Sequence, residues 1–150
     1  MSQLTNLLTA LQDQILTAFP GSPVYFDTLQ DHNDNNTYPL FEITIESIQD
    51  ANFAASTLTE TNLTLLMYAR TSQDKFSLAG VDERITANNT LRSILDQWSG
   101  MSTVMGYMVL SNISTKYLDS LNSGEAGSFA NTTIKVGLNF SIQYRESAII

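Results

Sequence analysis

Two periods divide the chain. Residues 2–18 repeat Leu4, Leu7, Leu8, Leu11 and Ile15 at three- and four-residue spacing, which predicts an amphipathic helix. Ser2 stands where an N-cap belongs, Pro20-Gly21 ends the pattern, and Pro23 keeps the chain extended. "VYFDTL", 24–29, reads as a short strand, followed by a polar run over 30–37. "YPLFEITIESI", 38–48, then alternates: Phe41, Ile43 and Ile45 point one way, Leu40, Glu42, Thr44 and Glu46 the other. Pro39 suits the first residues of a strand or an edge.

Residues 49–59 have no period and read as a loop. "ETNLTLLMYART", 60–71, alternates with apolar groups on both faces: Leu63, Leu65, Met67 and Ala69 against Thr64, Leu66, Tyr68 and Arg70. Such a strand is central or half covered by a partner. Leu78, Val81, Ile85, Leu91, Ile94, Leu95 and Trp98 make one stripe of a helix over 78–98, interrupted by Asn88 and stopped by Gly100. "MGYMVLSNIST", 105–115, reads as a strand and 119–128 as a flexible loop. The last strand, 129–145, sets Ile134, Val136, Leu138, Phe140, Ile142 and Tyr144 on one face.

The order α-β-β-β-α-β-β predicts an α+β fold, a mostly antiparallel sheet of about five strands with two helices packed on one face. With 150 residues and neither repeat nor linker, residues 1–150 form one domain. The longest strands exceed the usual length of about 5–6 residues, so they reach past a small body and offer backbone edges to neighbours.

Composition changes this picture in one direction. Charged residues are 15% of the chain, against about 25% in a typical domain. Ser, Thr and Asn take their place, and such a surface suits either coverage in an assembly or a monomer with a neutral polar coat. The net charge of −8, with seven basic residues that form no cluster, argues against nucleic-acid binding. There are no cysteines, so disulfides and thiol catalysis are excluded. No stretch approaches the roughly 20 apolar residues of a membrane span, and no signal peptide is visible.

Candidate chemistry is sparse. His32 is the one histidine, in a polar run, so it would have to anchor any triad or imidazole metal site. Glu42 and Glu46 lie about 13 Å apart along a strand, beyond the roughly 5–9.5 Å of glycosidase carboxylate pairs, and read as solvated or interface glutamates. "DHNDNNTYPLFE", 31–42, nearly fits a calcium loop, with Asp31, Asn33, Asn35 and Glu42 at the ligand positions. But Asn36 replaces the turn glycine and strands, not helices, flank it, so a solvated hairpin connection is the better reading. No metal or cofactor site is assigned.

Laid out this way, the chain resembles phage tail terminator and tail completion proteins, the neck proteins that close the head end of a tail tube. The resemblance spans nearly the whole chain, in "LTNLLTALQDQILTAF", "VYFDTL", "PLFEITIESI", "NLTLLMYART", "VDERITANNTLRSILDQW", "YMVLSNIST" and "ANTTIKVGLNFSIQYR". Two features depart from it: the abundance of Asn and Thr, and an apolar 49–59 segment with Phe53 and Leu58. The resemblance implies a structural virion protein, not an enzyme, forming a homo-oligomeric ring, commonly sixfold, that ends tube growth. Its partners would be the tail tube protein and the head connector, its place the virion neck, and the host cytoplasm during assembly. An acidic lumen would let DNA pass without specific binding. Interface candidates are Phe53 and Leu58 in one loop, Glu125 in the other, and Leu66 and Tyr68 on the second strand face. A head–tail connector, another tail subunit or a small-ligand-binding α+β domain are the competing readings.

Overall fold

The computed structural model describes residues 2–27, 37–50, 58–100, 107–109, 113–122 and 132–145. Helix α1, Gln3–Ala18, is capped by Ser2, whose hydroxyl accepts from the Thr5 N–H at 3.1 Å. Its last turn closes with the Phe19 N–H on the Ile15 carbonyl, and Gly21 takes the positive φ of 84° that turns the chain back. Helix α2, Leu78–Ser99, starts at Ser77, whose Oγ accepts from the Gly80 N–H and donates to the Asp74 carbonyl.

Among the described residues six strands form one sheet: β1 (Val24–Tyr25), β2 (Leu40–Asp50), β3 (Leu58–Thr71), β4 (Tyr107–Val109), β5 (Ser114–Asn122) and β6 (Thr132–Arg145). The order is β1-β2-β3-β6, with β4 and β5 following one another along the far side of β6. All pairings are antiparallel except β1 with β2. β3 is central, which explains its apolar groups on both faces. The fold is the expected α+β arrangement, with both helices on one face.

Under the helices lies the main core. Leu7, Leu11 and Ile15 of α1 and Leu91, Leu95 and Trp98 of α2 meet Phe41, Ile43, Leu65, Val136, Leu138 and Ile142 of the sheet. Trp98 joins all three layers. Its indole N–H donates to the Leu7 carbonyl at 3.1 Å, and its ring meets Phe140 edge-on at 5.8 Å.

Several boundaries differ from the sequence expectation. The first strand is two residues long and pairs in parallel, so "VYFDTL" does not run as a strand to Leu29, and its last two residues lie outside those described. The 49–59 loop gives way at both ends: β2 runs to Asp50 and β3 begins at Leu58. The single strand expected over 105–115 is two strands, and Asp119–Asn122 belong to β5 rather than to a loop. In β5, Thr115 and Ser120 face α2 through hydrogen bonds instead of apolar packing. Thr115 Oγ1 donates to Asn88 and accepts from Arg92, and Ser120 accepts from Arg84. Lys116 is the extra residue of a bulge that breaks the alternation.

The stripe on α2 is also rotated from the expected one. The small residues Gly80 and Ala87 turn inward with Leu91, Ile94, Leu95 and Trp98, whereas Leu78 and Ile85 are exposed. Gly80 has no room for a side chain, since a Cβ there would meet the Asp74 carbonyl oxygen at 2.2 Å.

Candidate functional site

The sheet face opposite the helices has two halves. Across the first, Leu40, Leu66 and Tyr68 form a second buried cluster, with Tyr25, Tyr38 and Tyr117 packed against it. Gly137 lets this cluster close: a Cβ there would stand 2.4 Å from Leu66 Cδ2 and 2.9 Å from Tyr117 Cδ2. Cations cover the rings, Arg70 at 4.5 Å from the Tyr38 centroid and Lys135 at 4.0 Å from that of Tyr117.

Glu42 sits beneath them, fully buried (0% exposed), and accepts a hydrogen bond from the Tyr68 hydroxyl. This corrects the reading of Glu42 as a solvated or interface glutamate. The strand pleat puts it beside Leu66 and Tyr25, under the aromatic cluster, which excludes water. Burial, and then the Glu42 carboxylate, push the Tyr68 phenol well above its ordinary value. A phenol raised in the folded state stabilises the fold at pH below the unfolded tyrosine value of about 10, and this contribution is lost as pH rises past it. Thermal melts from neutral to strongly alkaline pH should therefore show Tyr68→Phe losing less stability above about pH 10 than the parent. At neutral pH the same variant should be less stable by about 1.5–3 kcal/mol, the worth of a hydrogen bond to a charged group. Equal alkaline losses in the two proteins would refute the assignment.

The other half of this face is a polar ladder. Thr64 Oγ1 lies 2.8 Å from Glu46 Oε1 and 2.7 Å from Asn139 Oδ1. The Asn62 amide donates to Ser47 at 2.7 Å and accepts from Ser141, while Gln49 and Gln143 both donate to Glu60. Lys116 pairs with Glu46 at 3.5 Å. An open groove of about 260 Å³ runs along it, lined by Glu46, Asn62, Lys116, Asn139 and Ser141. These groups already bond one another, so the ladder fixes strand register more than it offers a ligand. Among the described residues no group of three or more His, Asp or Glu side chains is placed to hold a metal ion. Asp31, His32, Asn33, Asn35 and Asn36 lie outside the described residues.

Both sheet margins are open among the described residues. β1 covers β2 only at Phe41 and Glu42, leaving Ile43–Asp50 paired with β3 alone. The Phe41 N–H points outward, to the Pro23 carbonyl, so strand alternation aims the backbone groups of Ile43 and Ile45 outward too. Beside this edge, Ile45 and Ile48 are 43% and 56% exposed. On the far margin, β5 pairs β6 and nothing beyond. Near it Phe76 and Leu78, 82% and 84% exposed, flank the N-cap of α2, and Leu118 is half exposed. A groove of about 210 Å³ joins Lys75, Phe76, Arg84, Leu118, Asp119 and Ser120.

Of the residues expected at an interface, Leu66 and Tyr68 are buried in the aromatic cluster, so neither is a surface contact of the single chain. Their own sheet face covers them: Tyr25, Tyr38 and Tyr117 take the place of a partner. Phe53 and Glu125 lie outside the described residues, and of Leu58 only its backbone place at the start of β3 is described. Sequence reasoning missed Ile45, Ile48, Phe76 and Leu78 as surface groups. A usable signal existed for Phe76, a lone aromatic inside the polar stretch "TSQDKFS". No protein-family model matches the chain, and no curated protein matches it either.

Proposed function

We propose that this chain is a structural assembly subunit of the tail-terminator kind, one that closes a ring with copies of itself at the head-proximal end of a phage tail tube. The observation that carries the reading is the β2 edge, left open beyond Glu42 among the described residues, with outward backbone groups at Ile43 and Ile45 beside the exposed Ile45 and Ile48. Proteins that stay single protect a long edge with lysines, proline or a covering loop. β2 carries a bulge between Ile45 and Ser47, but no Lys or Arg between Leu40 and Asp50. Leaving an Ile side chain in water forgoes about 1.5–3 kcal/mol that coverage would return. A strand added from outside would satisfy the backbone and cover both isoleucines at once. The acidic, neutral-polar skin fits a lumen that passes DNA and contacts that close without desolvating many charges.

Mass measurement in solution, alone and with tail tube protein, tests the proposal. The parent chain should assemble, alone or on tube ends. Ile45→Lys/Ile48→Lys should stay monomeric with an unchanged circular dichroism spectrum, since both positions are exposed. A parent chain that stays monomeric under both conditions overturns it.

A further inference from the structure

The strands on either side of the β3–β6 pair are both bulged, and the two bulges aim opposite charges at the same point. In β2 the extra residue is Glu46, between Ile45 and Ser47; in β5 it is Lys116, between Thr115 and Tyr117. A bulge residue is released from the pleat, so its side chain can be aimed where strict alternation would not send it. These two meet over the sheet face opposite the helices, with Lys116 Nζ 3.5 Å from Glu46 Oε1. Thr64 Oγ1 lies 2.8 Å from the same carboxylate oxygen.

This contact crosses from β2 past β3 and β6 to β5. Three strand spacings of about 4.8 Å make about 14 Å across the sheet. The pairing also offsets the two residues along the strands. Glu46 stands level with Phe140 and Ser141 of β6, through Leu63 and Asn62, whereas Lys116 stands level with Gly137 and Leu138. That offset is about three residues, or about 10 Å. A flat sheet would therefore hold the two backbones about 17 Å apart, further than an extended glutamate and an extended lysine can bridge. The sheet is bent toward this face. The tyrosines agree with the bend. Tyr25 of β1 and Tyr117 of β5 come from opposite sides and both pack on the Leu40, Leu66 and Tyr68 cluster. Tyr117 reaches it across Gly137, where a Cβ would stand 2.9 Å from its ring.

We infer that Glu46 and Lys116 form a clasp across this face, which holds the bend and fixes the direction in which the β2 margin is presented. Surface ion pairs are commonly weak, because two long side chains must be ordered to make them. Here the two bulges set both starting points and Thr64 already holds the Glu46 carboxylate, so less order remains to be lost. On β2 the clasp acts at the bulge between Ile45 and Ile48, the two isoleucines exposed on that margin. A margin set in advance costs less to dock, since its ordering precedes the partner's arrival. This bearing on assembly rests on the reading proposed above; the clasp itself does not.

Spin labels read the bend directly, because the chain has no cysteine and introduced ones alone take the label. Gln49→Cys in β2 and Ser114→Cys in β5 put labels at exposed positions on the clasp face. Diluting the labelled chain into an excess of unlabelled chain confines the signal to distances within one copy. Lys116→Met and Glu46→Gln should each lengthen and broaden the label distance, with an unchanged circular dichroism spectrum. The swap Glu46→Lys/Lys116→Glu should return the distance to the parental value. A Lys116→Met distance equal to the parental one, or a swap as long as the single variants, overturns the clasp whether or not the chain assembles. Distances that move as expected in a chain that never assembles uphold the clasp and remove the assembly reading.

Discussion

Trp98→Ala should lower the unfolding free energy by about 3–5 kcal/mol, the cost of a large-to-small change at a filled site. Trp98 is fully buried where α1, α2 and β6 meet, and it is the one tryptophan in the chain. Alanine opens a cavity between the helices and Phe140. It also leaves the Leu7 carbonyl, which accepts the indole N–H at 3.1 Å, without that donor. Circular dichroism in a urea titration would show the midpoint falling with an unchanged slope, because the surface exposed on unfolding is nearly the same. Trp98→Phe separates the two parts. It keeps most of the ring packing and loses the donor, so it should cost less than half as much. A Trp98→Ala loss below about 1 kcal/mol would mean that the helices do not close on the sheet through this residue.

Such closure was legible in the sequence wherever one period ran unbroken. α1 shows it: five large apolar residues at helical spacing, a serine cap and a Pro-Gly stop fall where the helix begins and ends. β3 and β6 show it too, since alternation over a long run has one reading. The failures share a cause, which is that packing outweighed side-chain size or polarity. The end of β5, Asp119–Asn122, reads as a loop because its inward Ser120 satisfies α2 by a hydrogen bond and a bulge at Lys116 breaks the period before it. α2 buries Gly80, where the Asp74 carbonyl leaves no room for a side chain, and Ala87, while Leu78 and Ile85 stay exposed. Glu42 alternates like a solvent-facing residue, but the cluster of tyrosines that buries it comes from β1, the approach to β2, β3 and β5, segments far apart in sequence. Half of the candidate assembly surface was hidden for the same reason. Which strand lies at a margin is a property of sheet order, so Ile45 reads as core until β2 is seen to be an edge, and the bulge after it, which turns Ile48 to the same face, is invisible to alternation.

Gly80→Val should cost about 3 kcal/mol or more, although the position is helical and the new residue a better helix former than glycine. The gain in propensity is only a few tenths of a kcal/mol, since valine is itself a modest helix former. Against it stands backbone, which cannot rotate away as a side chain would. A Cβ at Gly80 meets the Asp74 carbonyl oxygen at 2.2 Å and the Lys75 Cα at 3.2 Å. That carbonyl accepts from both the Ser77 N–H, at 3.0 Å, and the Ser77 hydroxyl, at 2.6 Å. Moving it undoes the N-cap of α2, a further cost of about 1 kcal/mol. Gly100→Ala is the control: its nearest neighbour is the Gln97 carbonyl at 3.3 Å and its φ is −61°, so stability should change by less than about 1 kcal/mol. A Gly80→Val protein with parental stability in a urea titration would show that this turn is free to shift.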